Sequence, residues 1–206
     1  MLDVHPPHES VHTWKDFFIH LATITLGLLI AIGLEQTVEY FHHRHQLQEA
    51  RRELSAELED NRRRAAKNIE QVHKVQAELD NDMALLRANQ SSHTPFAAKL
   101  DYTWMFYRTP DGAWQTVKQN GALTLMPHEE LQSYVYVYAV FAAFMDALVA
   151  QNVQMEVAGA IARRAPDGNL SARDVDELIT ATSDAQGKLA FVARMLQFEE
   201  LGLKRV

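Results

Sequence analysis

The chain has 206 residues, 47% of them hydrophobic, enough for one domain with a core and an appendage. Twenty Lys and Arg against 27 Asp and Glu give a net charge of −7, which argues against nucleic acid, whose partners usually present basic surfaces. There is no cysteine, which excludes disulfides, thiolate metal sites and cysteine nucleophiles. Eight Gly and six Pro are few, and favour helices over a sandwich or barrel.

Residues 1–16 form a tail carrying His5, His8 and His12, a set that binds Zn²⁺ or Ni²⁺ weakly without implying a function. From Phe17 to Leu34 there are 18 consecutive residues without a formal charge. As a helix they extend about 27 Å, close to the roughly 30 Å of a bilayer's hydrocarbon. Trp14 and Lys15 at one end, with Tyr40, His42, His43 and His45 at the other, stand where amphipathic anchors belong. A secretory signal would have a basic start and a small-x-small cleavage site, and the start MLDVHPPHES and the exit LEQTVEY supply neither. The spacing predicts a single-pass transmembrane helix over 17–34, set against the plain alternative of a buried soluble helix.

At 100° per residue, His20, Thr23, Gly27, Ala31, Glu35 and His42 fall within about a third of the circumference. Thr23, Gly27 and Ala31 make a small-xxx-small stripe, which lets two helices approach closely in lipid, although such stripes also arise by chance. His20, Thr23, Gly27, Ala31 and Glu35 are therefore the expected helix–helix interface. Lys15 on one side of the span against Arg44, Arg51 and Arg52 on the other places the C-terminal part in the cytoplasm rather than the periplasm by the positive-inside tendency.

From Glu35 to Asn89 there is neither proline nor glycine, and residues 35–90 read as a long helix beyond the membrane. Leu58, Ala65, Val72, Leu79 and Leu86 recur every seven residues, with Leu54, Ile69, Val75 and Met83 adjoining. Asn61 and Asn68 interrupt that seam, which favours a bundle over a two-stranded coiled coil. Arg62 to Arg64 are basic, but 41–70 holds seven basic and six acidic side chains, the balance of a self-paired solvated face.

Residues 96–206 are expected to form a helical bundle on the long helix. QSSHTP (90–95) ends that helix and Pro95 opens the next; FAAKLDYTWMFYR (96–108) reads as helix more than strand. TPDG (109–112) is a turn, and AWQTVKQNG (113–121) a short helix stopped by Gly121. Pro127 suits the first turn of a helix running to about Arg164, with Glu129 and Glu130 at its positive end. Residues 134–150 are apolar enough to raise a second span, but Asp146 and three tyrosines favour a buried bundle helix. PDGN (166–169) turns the chain, and Ser171 with Asp174 opens a helix carrying Val175, Leu178, Thr182, Ala185, Leu189, Val192 and Leu196. The fold class expected is all-α: a transmembrane helix continuing into a long amphipathic helix, packed with a C-terminal bundle.

The sharpest chemical cluster is Glu35, Glu39, His42, His43 and His45. Glu39-x-x-His42 has the spacing of a carboxylate–imidazole metal pair, but such a site needs ligands from other helices. Glu70-x-x-His73 lies about 46 Å further along a straight helix. The plain reading is that these groups sit at headgroup level. There is no phosphate-binding Gly-rich loop, no Gly-x-Ser-x-Gly and no His-Glu-x-x-His, so neither an enzyme nor a cofactor is expected.

HPPHESVHTWKDFFIHLATITLGLLIAIGLEQTVEYFHHRHQLQEARRELSAELEDN resembles a group of uncharacterised bacterial membrane-anchored proteins with a His-rich tail, a TIT-x-GLLIA span and an E-x-x-VE…HHRH exit. AWQTVKQNGALTLMPHEELQSY is similar to a helix–glycine–helix segment of a related domain of unknown function. The resemblance covers residues 4–61 well and the rest loosely, implies a bacterial envelope protein with a helical domain, and supplies no activity; the localisation expected is the bacterial inner membrane. The expected function is a membrane-anchored, non-catalytic interaction or scaffold module, a homo-oligomer or an accessory subunit, with the lipid bilayer and a membrane protein as partners. The alternatives are a tethered sensor whose bundle binds a small ligand, and a metal-binding helical protein using Glu39 and His42.

Overall fold

The computed structural model describes residues 13–92, 96, 99–164 and 169–203. The tail histidines, Pro95 and most of the 166–169 turn lie outside the described residues. The chain forms α1 (Trp14–Ser92), α2 (Gly112–Gln119), a 3₁₀ turn (Ala122–Leu125), α3 (His128–Ala162) and α4 (Ala172–Leu203). An isolated antiparallel bridge joins Phe96 to Leu170. The all-α class follows from the sequence as expected. The chain divides into two units, Met1–Glu49 and Ala50–Val206.

In the first unit α1 starts at a local cap. The Thr13 hydroxyl accepts the Asp16 N–H at 3.3 Å and donates to its carboxylate at 2.6 Å, beside the bond that the same N–H makes to the Thr13 carbonyl at 3.1 Å. Every side chain from Phe17 to Leu34 is exposed, Leu29 to 62%. Thr23 and Thr37 donate their hydroxyls to the carbonyls of Ile19 and Gly33, at 2.9 and 2.7 Å, and so need no partner outside the helix.

The second unit is built on the heptad seam. Leu58, Ala65, Val72, Leu79 and Leu86 are all buried, with Leu54, Val75 and Met83, whereas Ile69 is 37% exposed and faces away. Arg51 bonds Glu130 and Glu57 bonds Tyr138, so this part of α1 runs parallel to α3. Arg62 bonds the Leu203 carbonyl, Asp80 bonds Gln186 and Gln90 bonds Asp176, so it runs antiparallel to α4. Phe141 and Phe144 of α3 and the seven α4 residues singled out by spacing, Val175 to Leu196, fill the interior. Each buried Leu or Phe contributes roughly 1.5–3 kcal/mol of apolar transfer. Arg62, Arg63 and Arg64 pair with Glu59 and Asp60, the self-paired face that composition predicts.

One expectation is corrected. Residues 99–108, read as part of a helix over 96–108, are not helical; 99–111 form an irregular segment laid along α1. Three of its backbone polar groups are met from α1: Asn68 accepts the Tyr107 N–H and donates to the Tyr107 carbonyl, each at 2.8 Å, and Asn61 donates to the Pro110 carbonyl at 2.8 Å. The asparagines that interrupt the seam are therefore its docking points, and they compete successfully with helical self-bonding. Tyr102 is buried, with its hydroxyl 2.7 Å from that of Thr182.

α2 ends with Asn120 at the C-cap and Gly121 beyond it at φ 77°, a left-handed turn that glycine adopts without strain. Pro127 stands just before α3 rather than inside its first turn, and α3 ends at Ala162. Ser171 caps α4 as expected, accepting the Asp174 N–H at 3.2 Å.

Candidate functional site

Three places carry more than packing, and the first lies on the exposed helix of the first unit. His20, Thr23, Gly27, Ala31 and Glu35 lie along one side of α1, and a Cβ on Gly27 would meet nothing within 4 Å. The apolar window of α1 is 0% buried, against 39% for the equivalent window of α3, the second helix long and apolar enough to cross a membrane. Further along, His43 Nε2 stands 3.8 Å from Glu39 Oε1, and the His42 and His43 rings are 6.3 Å apart. The structure thus pairs Glu39 with His43, at i,i+4, and not with His42. Glu35, Glu39, His42, His43 and His45 are all exposed, and among the described residues no three His, Asp or Glu groups converge on a common point.

The second place is a half-buried polar lock in the second unit. The Glu57 carboxylate accepts the N–H groups of Ala113 and Trp114, at 2.8 and 3.3 Å, and the Tyr138 hydroxyl at 2.6 Å. Asp111 precedes α2 but makes no side-chain cap, and Glu57, from a different helix, supplies the negative charge at its N-terminus. Trp114 stacks on Tyr138 with ring centroids 4.8 Å apart. Burial first, and then the Glu57 carboxylate, hold the Tyr138 phenol above its ordinary value, so it stays a donor. This constellation holds α1, α2 and α3 together, and its groups are consumed by one another. Sequence reading missed it because the partners lie 56 to 81 positions apart.

The third place is a groove of about 830 Å³ between α3 and α4. Its floor is small, from Ala143, Ala150 and Gly187, and its polar groups include Asp146, Asp184 and Lys188. Phe191 lines it at 43% exposure, and Val149, Val153 and Val157 stand exposed on α3. The hydropathy of α3 therefore has two origins, a buried core face and an uncovered outer face. Only the first was legible as a bundle helix.

No family model, curated protein or solved structure matches this chain.

Proposed function

We propose that this chain is a membrane-anchored interaction module that spans the bilayer once, through residues 17–34, and meets its partners through its helical second unit. The observation that carries this is the contrast between two apolar stretches. The 17–34 side chains are uncovered on every side of the helix, whereas α3 buries Val137, Phe141, Phe144 and Leu148 in a core. Eighteen uncharged residues with no protein around them find their low-energy environment in hydrocarbon. α3 places Asp146 on its exposed side, where hydrocarbon would be costly, so it belongs to the bundle.

The resemblance of residues 4–61 supports a bacterial inner membrane, and the excess of Arg44, Arg51 and Arg52 over Lys15 supports a cytoplasmic second unit. The full chain is expected to remain in the membrane pellet after a carbonate wash; recovery in the supernatant overturns the anchor. A pull-down in mild detergent separates the module from a sensor: a stoichiometric protein partner supports the former, a co-purified small molecule the latter. Reporter fusions at the C-terminus, one active inside and one outside, test the orientation.

A further inference from the structure

We infer that the α3–α4 groove is the seat of a second copy of this chain, with α4 of one copy crossing α4 of the other antiparallel beside Gly187. Three observations meet there. Gly187 lies in the middle of a 32-residue helix, where glycine is less favourable than alanine by about 1 kcal/mol. Nothing in its own chain needs that glycine, since a Cβ there would meet nothing within 4 Å. Such a position is suited to the close approach of a helix from outside.

The charges beside it are self-complementary. Asp184 and Lys188 line the groove, and among the described residues neither makes a hydrogen bond or ion pair. Their midpoint is Gln186, one residue from Gly187. An antiparallel crossing centred there sets Asp184 of each copy within reach of Lys188 of the other, and a two-fold axis makes the contact twice. The apolar groups supply the rest. Phe191, which lines the groove, is 43% exposed, and Phe198, two turns further along the same outward side of α4, is 47% exposed. A two-fold partner covers these faces with the same faces of its own, whereas a basic or acidic partner helix would leave either Lys188 or Asp184 opposite its own sign.

The proposed interface lies in the second unit alone and does not depend on the bilayer. Its test uses the full chain in nanodiscs. Asp184→Lys and Lys188→Asp, each made singly, replace two attractive contacts with two repulsive ones and should weaken self-association about tenfold. Asp184→Lys combined with Lys188→Asp restores opposite signs across the axis and should return association to the parent's level. These are exposed positions, so folding is unaffected by the exchange.

The chain has no cysteine, so Gly187→Cys introduces a single thiol. Mild oxidation should join it into a disulfide-linked dimer, while Ala66→Cys, exposed on α1, should not cross-link above background. Single and double charge variants that associate alike, or a Gly187→Cys chain no more cross-linked than the Ala66→Cys chain, overturn the proposal. So does quenching of a fluorophore on Gly187→Cys by brominated lipid tails, which would place the groove against lipid. Carbonate retention of the same variants reports on the anchor separately.

Discussion

Asn68 and Tyr107 exchange two hydrogen bonds, side chain to backbone, as though Asn68 were a strand partner for a single residue. Both are 2.8 Å long, and Asn68 is fully buried on the seam of α1. This pair, with Asn61 on the Pro110 carbonyl, gives three backbone groups of an irregular segment partners on α1.

Asn68→Ala leaves the Tyr107 N–H and carbonyl without their partner. The expected loss of stability is about 2–4 kcal/mol, since each abandoned buried group costs about 1–3 kcal/mol. Urea unfolding followed by circular dichroism measures it. A loss below about 0.5 kcal/mol would mean that the segment is held by Tyr102 and its neighbours instead.

Glu57→Gln keeps the shape of the side chain but removes the charge at the N-terminus of α2 and weakens three hydrogen bonds. Amide exchange at Ala113 and Trp114 should speed up, and stability should fall by about 1–3 kcal/mol. Tyr138→Phe should cost less, about 1 kcal/mol, because the Trp114 stack survives it. Equal exchange rates in Glu57→Gln and the parent would rule out the carboxylate as the cap.

Glu199 is 0% exposed, and neither carboxylate oxygen has a hydrogen-bond partner among the described residues. Burial pushes its carboxyl up to about 8 from an ordinary 4.5. The folded state therefore holds this proton more tightly than the unfolded chain does. Its stabilising contribution is complete below about pH 4.5, declines as the pH rises towards 8, and is gone above that. Asp82, raised to about 6 mainly by burial, adds a slope of the same sign at lower pH. Glu199→Gln should flatten the dependence between about pH 5 and 9 by on the order of a few kcal/mol and leave the Asp82 part. Parallel curves for variant and parent in chemical denaturation across that range would contradict this.

Gly27→Leu should reduce association through the membrane helix, while Leu21→Ala and Ile32→Ala, outside the stripe, should do little. Thr23→Val should also do little, because Thr23 already bonds the Ile19 carbonyl. In-membrane FRET between labelled copies, in an Asp184→Lys background that weakens any α4 contribution, reads the effect. Gly27→Leu that associates like the parent would show the small-residue stripe to be a chance spacing.

The sequence by itself determined the periodic parts of this protein. The seven-residue seam from Leu58 to Leu86, the α4 positions from Val175 to Leu196, the Ser171 cap and the uncharged 17–34 run are local patterns, and local patterns are what helical periodicity and capping can report. Tertiary structure alone decided the rest. FAAKLDYTWMFYR reads as helix more than strand, yet Asn68 bonds the backbone at Tyr107 and Asn61 the Pro110 carbonyl just beyond, from 39 and 49 positions away, and residues 99–111 are irregular. Asn61 and Asn68 read as flaws in a seam because their partners were not yet placed. α2 takes its cap from Glu57 on α1 rather than from adjacent Asp111, and the outward face of α3 becomes visible only when α4 and α1 have covered the other side. The physical reason is the same in each case: a hydrogen bond or an uncovered face is a property of two surfaces, and periodicity describes only one.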